Sequence, residues 1–384
     1  MSARKIVSWH EAGLIDAVTR DRLIAYEAAH ARPLALWAVS GIGALAIGLG
    51  LVSVIAANWE AIPGHVRLGV HFALIVAALL ALAWREARIA AASPWAVEAL
   101  LFTAAALGLT FFGHLGQVYQ TSSPLWQPLG LWLALFAPLL LVMGRSWPAA
   151  LAVLGGAVWC AWEYTTAMTG YGRVRDPGFV WQMWLGFVIA LPVAFAPFAA
   201  WLRARSQRPD FWRRLEQLAL AYAVAGASFA CALASVGGFG DGGIFNSGII
   251  TLASGSTALL TGIALVPVRP GTSGRMAGAI IAGAGLVMLL APVTDDLSVL
   301  AAALFMALWI GIAAAALVAG WRGVFQLSVA VIALRLIILS FELASDLLLS
   351  GFGLILSGVL ILGVAWAALR VSKTFAPPNE GEEA

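Results

Sequence analysis

The strongest constraint on the fold is an apolar run at residues 34–57, which contains 24 residues and no charged side chain. A helix needs about 20 apolar residues to cross the hydrocarbon core of a bilayer. A short polar break follows, and a second apolar run begins near residue 66. We therefore predict that the two runs form a hairpin of membrane-spanning helices.

The same pattern recurs along the rest of the chain, which is 62% hydrophobic and only 11% charged. Soluble domains are about 25% charged. The apolar runs do not alternate with polar residues, so they favour spanning helices over the strands of a membrane barrel. We predict an all-α, polytopic helix bundle with about twelve spans, at residues 34–57, 66–84, 95–112, 126–143, 147–162, 179–201, 215–236, 247–268, 275–292, 297–319, 323–342 and 348–369.

The positive charges indicate how these spans are oriented. With the N-terminus inside, 18 of the 22 lysines and arginines fall on cytoplasmic segments, and three fall on outer loops. Cytoplasmic loops of membrane proteins carry such an excess of positive charge. The sequence therefore predicts that both termini are inside, in a multi-pass protein of the bacterial inner membrane. The net charge of +3 is too small to indicate a nucleic-acid partner.

Five segments follow from this reading. Residues 1–33 form a cytoplasmic helical element, in which Asp16 can cap a helix that runs towards His30. Residues 34–201 form a first transmembrane half, 202–214 a basic linker, 215–370 a second half and 371–384 a disordered tail. Glycine and alanine are frequent in the second half, where small residues let helices approach closely. The N-terminal element either lies on the bilayer surface or binds a protein partner.

Polar side chains cluster in the two outer connectors that precede the second and fourth predicted spans. These candidate solute-binding residues are Asn58, Trp59, Glu60, His65, His114, Gln117, Tyr119 and Gln120. The alternative is turn chemistry, with Asn58 as a helix cap and Trp59 and Tyr119 as anchors at the membrane interface. Glu60, His65 and His114 are the residue types of a metal site, but their spacing matches no ligand motif, so we assign no metal or cofactor.

Arg335 is a second candidate because it lies inside a predicted span. An arginine within a membrane usually faces a partner, a substrate path or water. Glu342 lies seven residues later on the same helical face, about 10 Å along the axis. Arg335 either forms a structural ion pair, with Glu342, Asp346 or Glu60 as its carboxylate, or belongs to a path for solute or protons.

Glu98, at the start of the third predicted span, is either a further buried carboxylate or a side chain that extends to the membrane surface. His71 is expected to be a hydrogen-bonded histidine of the core.

Several short motifs resemble the start of a family of bacterial membrane proteins known as domain of unknown function 2157. They are Ile47-Gly48-Leu49-Gly50, Ala56-Ala57-Asn58-Trp59, Ile62-Pro63 with Arg67, and Gly116-Gln117-Val118-Tyr119-Gln120. The resemblance covers roughly residues 8–160, and the second half of the chain is similar only in hydropathy. It implies a multi-pass inner-membrane protein and no particular activity. It also strengthens Asn58, Trp59, Gln117 and Tyr119 as a linked site.

The sequence favours a transporter or permease for a small solute. The first alternative is a non-catalytic membrane sensor or scaffold, which uses the N-terminal element or the outer loops. The second is an intramembrane enzyme that acts on lipid-linked or envelope substrates, with Glu60 or His114 as its base. Between an enzymatic and a non-enzymatic role, the residues favour the non-enzymatic one, and both stay open. The expected partners are the lipid bilayer, a small solute and a protein at the N-terminal element.

Overall fold

A computed structural model describes residues 3–30, 62–92, 94–170, 178–239, 248–343 and parts of 359–375. Within these ranges the chain is helical and contains no strand, which confirms the predicted all-α class. The chain divides into two compact units, Met1–Arg67 and Leu68–Ala384.

The first unit contains a helical hairpin of α1 (Ala3–Glu11) and α2 (Ala17–His30). Gly13 allows the turn between them because it adopts a φ of +71°, which glycine reaches without steric cost. The Oδ1 atom of Asp16 accepts a 2.9 Å hydrogen bond from the backbone N–H of Thr19. This bond confirms the predicted cap, and it lowers the pKa of the Asp16 carboxyl from its ordinary value.

Eleven further helices follow α1 and α2 in the described chain. They are α3 (Gly64–Ala92), α4 (Pro94–Tyr119), α5 (Trp126–Met143), α6 (Trp147–Gly170), α7 (Phe179–Ala190), α8 (Phe195–Arg203), α9 (Pro209–Ala234), α10 (Gly248–Val268), α11 (Thr272–Leu290), α12 (Ser298–Ala319) and α13 (Arg322–Leu343). Short 3-10 turns at Leu191–Ala194 and Ala291–Thr294 follow α7 and α11, and each contains a proline. Helix α9 is central, since it packs against α6, α8, α11 and α12.

Nine segments of the described chain are long and apolar enough to cross a membrane. They correspond to the second to fourth and the sixth to eleventh predicted spans, and Trp126–Met143 agrees to the residue. The predicted fifth span is a helix, α6, but it is not among the nine; its second half carries Glu163 and three threonines. The first predicted span lies outside the described residues, as does most of the twelfth. The count of twelve and the orientation therefore stay predictions.

Glycines determine how closely α10 and α11 approach each other. A Cβ atom at Gly262 of α10 would lie 2.4 Å from the backbone nitrogen of Ala282 on α11. A Cβ at Gly285 of α11 would lie equally close, at 2.4 Å, to the nitrogen of Leu259 on α10. The backbones of these helices are therefore in direct contact, as small residues at a membrane helix interface permit.

Candidate functional site

The first outer connector is only partly described. Asn58, Trp59 and Glu60 lie outside the described residues. His65 lies in the first turn of α3 and is exposed. The predicted role of this connector in solute binding, and that of Glu60 as a catalytic base, therefore stay predictions.

The second outer connector is the C-terminal end of α4. Gln120 has a φ of +51°, and its side-chain amide donates a 2.7 Å hydrogen bond to the carbonyl oxygen of Gln117. The backbone N–H of Thr121 donates a 3.1 Å bond to the carbonyl of Gly116. These bonds satisfy carbonyl groups that the end of a helix leaves open. The side chains of Gln117, Tyr119 and Gln120 are exposed. The geometry here is that of a helix end, and any solute binding by these residues stays a prediction.

His114 is joined to His71 on the neighbouring helix. The two Nδ1 atoms are 3.2 Å apart, which is a hydrogen-bond distance between α3 and α4. The Nε2 atom of His71 lies 3.0 Å from the carbonyl oxygen of Leu107. The expectation that His71 is a hydrogen-bonded histidine is confirmed. Its pairing with His114 was not predicted, because the relative register of α3 and α4 is not readable from either helix alone.

Arg335 lines a cavity of about 190 Å³ between α9, α12 and α13. The other walls include Cys231, Phe305, Val331, Leu334 and Ile338, so the lining is mostly apolar. The side chain of Glu342 lies outside the described part of α13, and the predicted pairing of Arg335 with Glu342 stays a prediction. Arg335 is therefore a predicted site residue that lines a cavity in the described chain.

A second cavity, of about 60 Å³, lies between α6, α7, α9 and α10. The hydroxyl of Tyr222 at its wall donates a 2.8 Å hydrogen bond to the carbonyl of Ile189 and accepts a 3.1 Å bond from the indole N–H of Trp162. The remaining walls are almost entirely apolar, with Thr251 and Ser254 as the exceptions. This cavity carries no charged group.

A buried ion triad lies at the opposite end of the bundle from the end of α4. The carboxylate of Glu216 on α9 is only 2% exposed, and one of its oxygens lies 2.9 Å from Nη1 of Arg203. Its other oxygen contacts Nη1 of Arg269, which follows α10. The Arg269 guanidinium also lies 5.8 Å from the ring of Trp321. The triad joins α8, α9 and the connector after α10.

Glu98 holds the neighbouring connector between α5 and α6. Its carboxylate accepts hydrogen bonds from the backbone N–H groups of Arg145, at 2.7 Å, and Ser146, at 3.0 Å. Arg208 donates a 2.8 Å bond to the carbonyl of Gly144 in the same connector. Burial lowers the pKa of the Arg208 guanidinium from its ordinary value, and the charge of Arg145 adds to this effect. Glu98 is therefore a cap for the start of α6, which the sequence indicated only as a buried carboxylate.

Glu216 was not among the site residues predicted from the sequence, although its position in the helix was a signal. Glu216 is the single carboxylate inside the apolar part of α9, and arginines lie at the ends of the neighbouring helices. A charge in such a position needs a partner because desolvation without one is costly. Within the described chain, no group of three or more histidine, cysteine, aspartate or glutamate side chains is arranged to hold a metal ion.

Comparison with known proteins agrees with this architecture. No curated protein and no solved structure matches the chain. Residues 7–149 match the family model described as "Predicted membrane protein (DUF2157)", which confirms the resemblance inferred from the sequence over this part of the chain.

Proposed function

We propose that this membrane protein is a transporter for a small organic or inorganic anion, and that Arg335 is its binding residue. The observation that carries the proposal is the position of Arg335 on a membrane-spanning helix, at the wall of a cavity of about 190 Å³. Charged residues within spanning helices are energetically unfavourable and usually mark a pathway or a pair.

The cavity has the size and chemistry for a small solute. Its volume of about 190 Å³ is well above that needed for a single water. The apolar walls formed by Phe305, Val331 and Leu334 favour a solute with a short hydrocarbon part. The planar guanidinium of Arg335 matches a carboxylate or phosphate, which it can bind through two parallel hydrogen bonds. These features support a monocarboxylate, a dicarboxylate or phosphate as the transported class.

A flux assay tests the proposal. Purified protein in liposomes is assayed for uptake of ¹⁴C-labelled lactate, ¹⁴C-labelled succinate and ³²P-phosphate. We expect uptake of at least one probe. We expect Arg335→Gln to weaken its apparent affinity about 10- to 100-fold, because glutamine carries no charge and can replace at most one of the two hydrogen bonds. Arg335→Lys keeps the charge but not the planar fork, and we expect an intermediate loss.

Arg213→Gln is the matched control because this arginine is 57% exposed and pairs with Asp210 at the surface. We expect it to transport like the unmodified protein. Equal flux in Arg335→Gln and Arg213→Gln, with both proteins folded and reconstituted equally, would refute the assignment of Arg335.

A second candidate function rests on the N-terminal hairpin. Leu14, Val18 and Tyr26 are large side chains on or beside α2, and they are 72%, 59% and 61% exposed. Large apolar side chains that are exposed are candidate contacts for a protein partner. The hairpin is therefore the candidate partner-binding element of a sensor or scaffold. The double variant Leu14→Ser, Val18→Ser should release one specific co-purifying protein, and an unchanged set of co-purifying proteins would argue against this function.

A further inference from the structure

We infer that His71 and His114 form a proton-binding site that holds one proton at a time and passes it between two helices. The inference rests on the hydrogen bonds of the pair, and it does not depend on Arg335 or on the proposed anion transport. Its ligand is a proton, taken up at one imidazole and transferable to the other.

The neighbouring carbonyl group fixes the hydrogen on His71. The carbonyl oxygen of Leu107 can only accept a hydrogen bond, so the Nε2 atom of His71, 3.0 Å away, must carry a hydrogen. Thr110 is consistent with this assignment. Its Oγ1 lies 3.5 Å from the same Nε2 atom, and its hydroxyl donates to the backbone of its own helix.

The hydrogen on His114 follows from that of His71. A neutral imidazole has one N–H group and one bare nitrogen. In the neutral pair, the Nδ1 atom of His71 is therefore bare and accepts, while the Nδ1 atom of His114, 3.2 Å away, must donate. The neutral form of His114 is the Nδ1–H tautomer, and its basic nitrogen is Nε2.

One added proton can be shared by both residues. A proton that binds Nε2 of His114 makes this residue an imidazolium, whose Nδ1–H still donates to His71. Transfer of that hydrogen across the 3.2 Å contact makes His71 the imidazolium and leaves His114 neutral with a hydrogen on Nε2. The Nδ1–H bond of His114 breaks and an Nδ1–H bond on His71 forms. The positive charge thereby moves from α4 to α3.

A second proton is strongly opposed. It would place two N–H groups against each other at 3.2 Å and two cations with ring centroids 5.5 Å apart. Coulomb repulsion between two cations at that distance opposes the binding of the second proton. Phe111, whose ring contacts His71 edge-on at 5.4 Å, offers no hydrogen-bond acceptor that would offset the repulsion.

Few charged residues lie on the helices around the pair. Arg67 lies one turn before His71 on α3, and the other charged groups of α3 lie about 20 Å or more away along the helix. Helix α4 packs against α5 and α6. The titratable or charged residues on these four described helices, apart from the pair, are His65, Arg67, Arg85, Glu86 and Arg88 on α3, Glu98 and Tyr119 on α4, none on α5, and Cys160, Glu163 and Tyr164 on α6.

Nitrogen-15 NMR of the histidine side chains tests the inference. The chain contains five histidines, so ¹⁵N-histidine labelling in nanodiscs gives a small set of imidazole signals. Spectra are recorded in a series of samples from pH 5 to pH 9. We expect His71 to show the Nε2–H tautomer and His114 the Nδ1–H tautomer in the neutral pair. We expect the first proton to change the ¹⁵N shifts of both residues together, and the second proton to bind only at lower pH.

Two variants sharpen the test. In His71→Gln, the remaining His114 should titrate in a single step, because no second imidazole shares its proton. His65→Gln is the matched control on the same helix, because His65 is exposed, and it should leave the pair unchanged. If the His71→Gln protein does not fold, the tautomers of the two histidines in the unmodified protein still show whether the inference holds. Independent titration of the two residues at one pH, or an Nε2–H tautomer on neutral His114, would overturn the inference.

Discussion

Removal of one partner from the ion triad around Glu216 should destabilise the protein strongly, and Glu216→Gln is the change that measures this loss. Glutamine keeps the size of the side chain, but it removes the negative charge between Arg203 and Arg269. Removal of one partner from a buried pair lowers the free energy of unfolding by about 3–5 kcal/mol. The two arginines are 25% and 18% exposed, so water still reaches them in part. We therefore expect a loss of about 3 kcal/mol, at the lower end of that range.

The assay is reversible unfolding in mixed micelles of mild detergent and SDS, followed by tryptophan fluorescence. The matched control is Asp210→Asn on the same helix. Asp210 pairs with Arg213 at 3.6 Å, and their side chains are 73% and 57% exposed. An exposed ion pair contributes less than about 1 kcal/mol, so the control should unfold almost like the unmodified protein.

A double-mutant cycle measures the interaction energy between Glu216 and Arg269 separately from the other effects of each substitution. If Glu216 is stabilised by Arg269, the loss in Glu216→Gln, Arg269→Gln should be smaller than the sum of the two single losses. The reasoning is wrong if Glu216→Gln and Asp210→Asn lower the free energy of unfolding by the same amount. Strict additivity in the cycle would also contradict the triad.

Two further predictions concern a glycine contact and a helix cap. Gly262→Ala should lower the free energy of unfolding by about 1–3 kcal/mol, because its Cβ would lie 2.4 Å from a backbone nitrogen. Gly283→Ala on α11 meets nothing within 4 Å and should be neutral or stabilising in the same micelle assay. The pKa of Asp16 is lower in the folded protein than in the unfolded chain, where it is about 3.9. The cap therefore stabilises α2 fully above the unfolded pKa, and this stabilisation is lost as the pH falls through the folded pKa. Hydrogen exchange at the Thr19 amide should therefore accelerate at acid pH, and Asp16→Asn should remove this dependence.

Hydropathy and local chemistry predicted much of the architecture. A spanning helix must be apolar over a fixed length, so the limits of the fourth span, Trp126–Met143, could be read directly. The cap at Asp16 depends only on residues next to it in the sequence. Close packing in the second half followed from its small residues, and it is seen where Gly262 meets α11.

The charged and polar contacts between helices could not be predicted in the same way. The partners of Glu216 lie 13 and 53 residues away, and hydropathy gives no rotation of one helix against another. The same holds for His71 and His114, which are 43 residues apart. Neighbouring residues instead suggested that His114 belonged with Gln117 and Gln120, whereas its partner lies on α3. Side-chain partners across a bundle depend on helix register, which is a tertiary property.

The reactivity of Cys231 tests the central claim that Arg335 faces a solute cavity. Cys231 lines this cavity, and Cys160, the other cysteine of the chain, can be replaced by serine. In the Cys160→Ser protein, we expect a small charged methanethiosulfonate reagent to label Cys231, the transported anion to slow the labelling, and Arg335→Gln to abolish this protection. Labelling by lipid-soluble maleimide alone, or protection that survives Arg335→Gln, would contradict the account.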